Sequence, residues 1–386
     1  MRLNAVQVLA LAALGVALGA GLKRKLRLLD RLNIPASIVG GLLYALALLA
    51  LRDRYLNLEM DLALRDILMV AFFTTIGMSA SWQLIRQGGK QVLWFWALAT
   101  AGALLQNLLG MGLARLFGLH PLLGIISGSG ALAGGPATTL AFGPTFEKLG
   151  VAGATTLGLA AATFGITAAG LLSGYIGGRL ILGKRLAPTP HSQLPPHVEG
   201  DSNLLGNALV IAVAMGLGSL ISAGIERLGV VLPAYIGAMI AAALIRNLDD
   251  RFHLAGICQA DVARLGTIAL YLFIVMAMLT LRLWELARLA LPLVAMLLAQ
   301  TALVWVLCFT VVFRFMGRDY ESAVMAGGFC GFMLGITANA LASMQELAQK
   351  FGPAPQAFIV VPLVGGFLID FTNALIITLM TNLMVN

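Results

Sequence analysis

The sequence is poor in the residues on which most enzymes and nucleic-acid-binding proteins depend. Among 386 residues there are three cysteines and four histidines. The cysteines are too few and too scattered for a disulfide framework or a metal cluster, and the histidines show no ligand spacing. The phosphate-binding pattern GxxxxGK[ST] does not occur, so nothing in the sequence indicates direct coupling to ATP.

Charge is also scarce, and this scarcity indicates the class of protein. Soluble domains carry about 25% charged residues, whereas this chain has 11% charged and 60% hydrophobic residues. Its long apolar runs predict an all-α polytopic membrane protein, because a spanning helix needs about 20 apolar residues. The net charge of +8 comes from short loops between these runs, so membrane topology explains it and no nucleic-acid partner is expected. The first run lacks a clear cleavage site and is predicted to be the first helix, not a removed signal peptide.

A Pro-rich polar linker divides the chain into two similar halves. Three landmarks recur in order at a nearly constant spacing, which indicates a duplicated unit. They are Ile34–Ala36 with Leu232–Ala234, Trp82–Arg86 with Trp284–Arg288, and Glu147–Gly150 with Gln349–Gly352. We therefore predict an N-terminal repeat over residues 1–185, a cytoplasmic linker over 186–203 and a C-terminal repeat over 204–386.

Each half contains one glycine-rich stretch without charge, Ser127–Thr139 (SGSGALAGGPATT) and Gly327–Asn339 (GGFCGFMLGITAN). Gly costs about 1 kcal/mol and Pro about 3 kcal/mol in a helix interior. Non-helical backbone at membrane depth is tolerated only where protein or a water-filled cavity surrounds it. We predict a re-entrant hairpin at about 122–146 and another at about 322–345, with close helix packing as the alternative. Matched interruptions in inverted repeats are typical of secondary transporters, whose substrate binds where the broken segments meet.

The positive charges of the loops predict an orientation. The basic loop Lys23–Arg31 follows the first apolar run, so the positive-inside rule assigns it to the cytoplasm. If both glycine-rich segments enter and leave on one side, each half has five transmembrane helices and the second half is inverted. Both termini are then periplasmic and most Lys and Arg are cytoplasmic. If both segments crossed fully, the repeats would be parallel and the basic end of the linker would lie outside, which fits the charges less well.

One carboxylate lies within the apolar runs. Asp370 is the only charged side chain inside any of them, and such a group marks a functional site by default. Asn373 lies one helical turn further on the same face. Their oxygens suit a small cation, with Thr163 as a weaker candidate ligand, whereas a structural Asp is the alternative. No metal beyond this cation and no cofactor is expected.

Polar and small residues near the two interruptions are candidate substrate ligands. The N-termini of half-helices would offer free N–H groups and a partial positive charge, which favour a carboxylate. The predicted contacts are Ser129, Gly134, Gly135, Thr138, Thr139, Gly335, Thr337, Asn339 and Asn107. The mid-span amides Gln106–Asn107 and Gln300 either line the site or form hydrogen bonds between helices. An intramembrane Ser–His pair or a second carboxylate is lacking, so we predict that the protein is not an enzyme.

Over nearly its whole length the chain resembles the bacterial sodium/glutamate symporters. The motifs are Ile34–Pro35 with Gly40–Gly41, Leu64–Asp66, Phe72–Gly77, Gln106–Asn107, Ala162–Gly165, Cys330–Phe332, Phe351–Pro353, Val361–Pro362, Phe367–Asp370 and Asn373–Leu375. The resemblance implies a ten-helix inverted-repeat carrier with two re-entrant hairpins. It also implies Na+-driven glutamate uptake across the bacterial inner membrane by a homodimer with a moving transport domain.

Both hairpin tips depart from the family pattern. Pro136 follows Gly134–Gly135 where the family typically has Gly-Gly-His-Gly-Thr, and Gly335–Asn339 reads GITAN where the family has Gly-Ala-Thr-Pro-Thr. Substrate selectivity is expected at the tips, and the resemblance implies glutamate or a related small carboxylate as the substrate.

Four functional hypotheses follow. The leading one is a secondary active transporter that couples Na+ entry to uptake of a small anionic solute, glutamate first, by an elevator-like movement. The others are an H+-coupled carrier that uses Asp370, a passive channel, and a structural or sensory membrane protein without transport. The inverted repeat with paired interruptions favours a carrier over the last two.

Overall fold

The computed structural model describes residues 2–26, 34–51, 59–188, 202–227, 234–252, 255–281 and 283–385. The described chain is helical apart from two short strands, which form a parallel pair. In the first part of the chain the elements are β1 (Arg2–Leu3), α1 (Ala5–Lys25), α2 (Ala36–Leu51), β2 (Glu59–Met60), α3 (Ala63–Met78), α4 (Trp82–Leu116), α5 (Pro121–Ile125), the π-helix π1 (Ile126–Gly130), α6 (Gly135–Lys148) and α7 (Ala154–Lys184). Most of the predicted linker, residues 189–201, lies outside the described residues.

The second part of the chain is built from similar elements. They are α8 (Leu204–Glu226), α9 (Ala234–Phe252), α10 (Gln259–Met278), α11 (Leu283–Leu307), π2 (Cys308–Val312), α12 (Phe313–Phe315), α13 (Tyr320–Leu334), α14 (Thr337–Phe351), α15 (Pro355–Leu363), π3 (Val364–Leu368) and α16 (Ile369–Val385). The all-α architecture is therefore as predicted, whereas the β1–β2 pair was not.

Seven helices in the described ranges are long and apolar enough to cross a membrane. They are Ala5–Lys25, Gly89–Leu116, Ala154–Lys184, Leu204–Ile225, Gln259–Met278, Leu289–Phe315 and Pro355–Met384. The other predicted spans correspond to α2 and α3, which have 16 residues each, and to α9, whose last turns carry four charges. The chain is a polytopic membrane protein, and its division into ten spans remains a prediction.

The structure divides into two compact units that each use segments from both halves of the chain. The first unit comprises Met1–Ser79, Leu140–Thr156 and Glu199–Ala290. The second comprises Ala80–Thr139, Leu157–Val198 and Leu291–Asn386. The chain thus passes from one unit to the other within α6. The predicted repeats are the two halves of the sequence, whereas each compact unit combines segments from both halves.

In the first unit, small residues let the helix backbones approach closely. A Cβ at Gly19 on α1 would overlap the carbonyl oxygen of Ala36 on α2, and one at Gly77 on α3 would overlap the carbonyl of Met239 on α9. Membrane helices commonly pack in this way, because lipid offers no hydrophobic force to drive them together. The Tyr235 ring stacks on Phe73 at 4.1 Å between centroids, one turn earlier on the same two helices.

In the second unit, α7 runs along the two arms of the second glycine-rich segment. A Cβ at Gly165 would overlap the carbonyl oxygen of Leu334, near the end of the first arm. A Cβ at Gly327 would lie 2.9 Å from the carbonyl oxygen of Ser173, and one at Gly177 would meet the Leu347 side chain. The contact between α7 and this segment is therefore largely one of backbone against backbone.

Candidate functional site

Both predicted interruptions are observed, and at matching positions. The first lies at Ala133–Gly134, between the end of the π1 region and α6, and the second at Gly335–Ile336, between α13 and α14. Residue 133 corresponds to 335 at the spacing of 202 that relates Trp82 to Trp284. The two halves of the sequence thus each have a helix break at the position that the predicted duplication matches.

Each interrupted segment folds back on itself as a helical hairpin. In the second hairpin a Cβ at Gly331 would meet Ala340, and the Tyr320 hydroxyl at the start of α13 donates to the Gly352 carbonyl just after α14. In the first hairpin a Cβ at Gly158 would contact both Ile126 and Thr139, which lie on opposite sides of the break. The ends of the second hairpin therefore lie together, as a segment that enters and leaves on one side requires.

The tips of the two hairpins meet in the second unit. Gly135 has φ +66°, in the left-handed region that favours glycine. A Cβ built there would lie 3.3 Å from Ile336 Cγ2 and 3.9 Å from the carbonyl oxygen of Gly335. The structure thus brings three predicted site residues, Gly134, Gly135 and Gly335, to one place.

The N-termini of α6 and α14 lie at this meeting point. The first N–H groups of a helix have no partner within it, and they carry a partial positive charge. Neither interrupted segment contains Lys or Arg. Any partial positive charge at the tips therefore comes from backbone N–H groups, which can bind a carboxylate.

The hydroxyl and amide groups predicted at the tips are mostly engaged, and all but the partly exposed Thr337 are buried. Thr337 Oγ1 donates to the carbonyl of Gly365 in π3 at 2.6 Å. Asn339 Nδ2 donates to the carbonyl of Ile166 on α7 at 2.7 Å. Thr139 Oγ1 lies 3.4 Å from the carbonyl oxygen of Gly130, and the side chain of Thr138 fills the space beside Gly134. The second tip is thus tied to both α7 and π3.

A hydrogen-bonded chain joins Asn107, Ser129 and Asn373, which come from α4, π1 and α16. The backbone at Gly128 is non-helical (φ −89°, ψ −121°), so the next N–H, that of Ser129, donates to Asn107 Oδ1 at 3.1 Å. The Ser129 hydroxyl donates to Asn373 Oδ1 at 2.6 Å, and Asn373 Nδ2 donates to the Ser129 carbonyl at 2.9 Å. All three side chains are fully buried. Two residues predicted to bind substrate and one predicted to bind the cation are thus in direct contact.

The mid-span glutamines link helices, which was one of the two predicted roles for them. Gln106 Nε2 donates to the carbonyl of Met333, two residues before the second break, at 2.9 Å. Gln300 Nε2 on α11 donates to the Gln106 carbonyl at 2.7 Å. Their matching positions in the two halves were the sequence signal for these bonds, but it did not identify the partners.

Several buried amide atoms around the tips have no hydrogen-bond partner. Within the described residues these include Gln106 Oε1, Asn107 Nδ2, Gln300 Oε1 and Asn339 Oδ1. Leaving such a group unpaired costs about 1–3 kcal/mol. The region therefore has one donor and three acceptors available for polar groups of a ligand.

Asp370 is the second residue of α16, which directly follows π3. It is half-buried, and the described part of the chain provides it with no hydrogen-bond or ion-pair partner. The neighbouring Asn373 uses both amide atoms on Ser129. The Thr163 hydroxyl bonds to the carbonyl of Leu159 in its own helix at 2.8 Å, so no bond joins it to Asp370. Carboxylate and carbonyl oxygens are hard ligands of the kind that suit Na+. The described residues contain no group of three or more His, Cys, Asp or Glu placed to hold a metal ion.

Paired helical hairpins that meet within a bundle of apolar helices are typical of secondary transporters. The family model described as Sodium/glutamate symporter matches residues 1–353. A curated sodium/glutamate symporter of Escherichia coli (strain K12) is 35% identical over 397 residues, covering 98% of this chain and 97% of that protein. The corresponding protein of Haemophilus influenzae is 31% identical over 382 residues, with 95% of each chain covered.

The chain therefore belongs to the sodium/glutamate symporter family, which confirms the predicted resemblance. The family is one of transporters, so the protein is a transporter and not an enzyme. Among solved structures, a sodium/proton antiporter from Methanocaldococcus jannaschii aligns over 98% of each chain with 15% sequence identity and a TM-score of 0.46.

Proposed function

We propose that this protein couples the entry of Na+ to the uptake of glutamate or a related small carboxylate. Its curated relatives are named sodium/glutamate symporters. The observation that carries the proposal is the meeting of Gly135 with Gly335 and Ile336, which brings two helix N-termini together. The carrier works by an elevator-like movement of the hairpins with the bound solute.

The substrate binds at the hairpin tips. Its carboxylate groups accept hydrogen bonds from the N–H groups at the starts of α6 and α14, where the helix dipoles are favourable. Its ammonium group donates to an amide oxygen such as Asn339 Oδ1, which is buried and unpartnered. Thr138, Thr139, Thr337, Gly134 and Ser129 shape the remainder of this site.

The cation binds at Asp370, with Asn373 and Thr163 as further oxygen ligands. Asn373 already holds Ser129 of the first hairpin through two hydrogen bonds. A cation coordinated by Asn373 Oδ1 therefore changes the hydrogen bond that this oxygen accepts from the Ser129 hydroxyl, which positions the hairpin. The link from Asp370 through Asn373 to Ser129 couples cation binding to the substrate site.

Topology and assembly complete the proposal. The two halves are inverted repeats of five transmembrane helices each, both hairpins are re-entrant, and both termini are periplasmic. The protein resides in the bacterial inner membrane as a homodimer. The matched breaks at Ala133–Gly134 and Gly335–Ile336 support the repeat, and the loop charges support the orientation.

H+ coupling is the second candidate, because Asp370 is a half-buried carboxylate with no partner in the described chain. Protonation would neutralise it without a cation. The two mechanisms differ in what drives uptake, so a single set of experiments distinguishes them.

The test is uptake of radiolabelled glutamate by proteoliposomes with either a Na+ gradient or an H+ gradient imposed. We expect accumulation above equilibrium with the Na+ gradient alone, inhibition by competing dicarboxylates, and loss of accumulation in Asp370→Asn. Asp66→Asn is the matched control, since Asp66 is exposed and pairs with its neighbour Arg65. Uptake driven only by the H+ gradient would show that H+, and not Na+, is the coupling ion. Flux without accumulation would indicate a channel. If glutamate neither enters nor competes, the substrate assignment is wrong.

A further inference from the structure

One cavity of the second unit lies away from the hairpin tips. It has a volume of ≈320 Å3 and opens between α7 and α14, where Gly174, Arg179, Leu182, Glu346 and Lys350 are among its lining residues. Its residues on α14 lie 11 or more positions from the break at Gly335, which is about 16 Å along the helix. The cavity is therefore separate from the proposed transport site.

The cavity exists because two glycines leave one face of α7 open. A Cβ at Gly178 would have only Leu347 Cδ2 within 4 Å, at 3.9 Å, and one at Gly174 only Glu346 Oε2, at 3.6 Å. In contrast, a Cβ at Gly177 would collide with Leu347. Gly177 thus serves helix packing, whereas Gly174 and Gly178 leave space that no neighbouring side chain fills.

Three charged side chains line this cavity, and no ion pair joins them within the described chain. Arg179 comes from α7, and Glu346 and Lys350 come from α14. Lys184 and Arg185 follow at the end of α7. The three side chains give the cavity a net charge of +1, which is complementary to a singly charged anion.

The face of α7 next to these cations is apolar and exposed. Leu171, Tyr175 and Leu182 lie on one side of the helix, with 64%, 58% and 63% of their surfaces exposed. They belong to Ala154–Lys184, one of the helices that can cross a membrane. An apolar stripe that ends at cations, at the end of a membrane helix, matches an acyl chain joined to an acidic headgroup.

We propose that this cavity binds one anionic phospholipid with a single phosphate charge, such as phosphatidylglycerol. Its phosphate lies between Arg179 and Lys350, and an acyl chain follows Tyr175 and Leu171. Glu346 accepts a hydrogen bond from a headgroup hydroxyl and disfavours headgroups with more negative charge. Basic pockets between membrane helices on the cytoplasmic side commonly bind acidic headgroups, and loop charge predicts that this end of α7 is cytoplasmic.

The test is native mass spectrometry of the full chain in detergent, titrated with phosphatidylglycerol or with phosphatidylcholine of the same acyl chains. We expect one phosphatidylglycerol to bind selectively. Arg179→Gln combined with Lys350→Gln should weaken its binding by roughly fivefold for each charge removed. Gly178→Leu, which fills the cavity and keeps both charges, should abolish the selective binding. Arg314→Gln is the matched control, since Arg314 is exposed and lies outside the cavity.

Equal binding of the two lipids would overturn the proposal. So would retention of selective binding in both the double variant and Gly178→Leu. If Gly178→Leu instead dissociates a dimer and leaves lipid binding unchanged, a second copy of the chain occupies this face and the lipid assignment is wrong. Thermal unfolding of each variant at neutral pH separates loss of binding from loss of the fold.

Discussion

At the scale of the residue, Ser129 has the most connections in the candidate site. Its N–H bonds Asn107, its hydroxyl bonds Asn373, and its carbonyl accepts from Asn373 Nδ2 and from the N–H of Gly134. The carbonyl bond to Gly134 reaches the first hairpin tip directly. Ser129 therefore connects α16, the helix that carries Asp370, with the tip of the first hairpin.

Replacing Ser129 with Ala should impair both stability and Na+ dependence. The substitution leaves Asn373 Oδ1 buried without its hydroxyl donor, which costs about 1–2 kcal/mol. We expect a lower unfolding temperature in detergent and a higher Na+ concentration for half-maximal uptake. Ser127→Ala is the control, because the equally buried Ser127 donates to the carbonyl of Leu123, four residues earlier in the same continuous helical segment. Equal Na+ dependence in the two variants would contradict the role given to Ser129.

Asp249 illustrates a residue with a structural role outside the transport site. Its carboxylate accepts from the N–H groups of Ala255, Gly256 and Ile257 and so holds the turn between α9 and α10. Burial raises the pKa of Asp249, but these three hydrogen bonds and the nearby Arg246 outweigh it, so the pKa is lowered overall. A lowered pKa means that the carboxylate contributes stability above about pH 4 and that this contribution is lost as the pH falls further.

Asp249→Asn should therefore destabilise the protein at neutral pH and have less effect in acid. An amide N–H faces the backbone donors in the variant, and we expect a loss of about 1–3 kcal/mol. The measurement is thermal unfolding in detergent at neutral pH and near about pH 3. Asp66→Asn, which removes only an exposed ion pair, should cost less than about 1 kcal/mol. A difference between wild type and Asp249→Asn that does not shrink in acid would contradict this account.

At the scale of the element, the left-handed glycine at the first tip sets how the two hairpins meet. Gly135→Ala would place a Cβ in the left-handed region, at about 1–2 kcal/mol, and 3.3 Å from Ile336 Cγ2. We expect loss of most glutamate uptake and a modest drop in the unfolding temperature. In Gly112→Ala the added Cβ has nothing within 4 Å, so this helical control should retain uptake. Normal uptake by Gly135→Ala would show that the contact between the tips is not needed for transport.

The interrupted elements were predictable because their composition is unusual. Paired glycines beside Pro136 in an uncharged apolar run conflict with a continuous helix, and the repeat supplied a partner for them at Gly335. The π-helices were not predicted, because five residues of shifted hydrogen bonding leave no periodic pattern in the sequence. The pairing of Ser129 with Asn373, 244 residues apart, was also beyond prediction, since it depends on how distant helices pack.

At the scale of the whole molecule, the sequence predicted the membrane class and the family, and the comparisons confirm both. The compact units could not have been read from the sequence, because each assembles three separate segments. The Pro-rich linker suggested a division at the midpoint of the chain. The structure instead places helices from both halves in one unit, because they contact each other, as Gly165 of α7 contacts Leu334 of α13.

The predicted orientation can be tested with single cysteines in a variant whose three native cysteines, all buried, are replaced by Ala. We expect Asn386→Cys to react with a membrane-impermeant maleimide in cells with a permeable outer membrane. Ser192→Cys in the linker should react only after the inner membrane is opened, because the linker is predicted to be cytoplasmic. Uptake by both variants is the control for folding. The reverse pattern of labelling would place the termini in the cytoplasm.

The glycine contacts between α7 and the second hairpin have a further consequence for motion. Two helices that touch through side chains can slide in small steps, because the rotamers change one at a time. At Gly165 and Gly327 the backbones are in direct contact, so no such small adjustments are available. These helices should therefore open and close as one cooperative element. Hydrogen exchange should then report a single opening free energy shared by α7, α13 and α14.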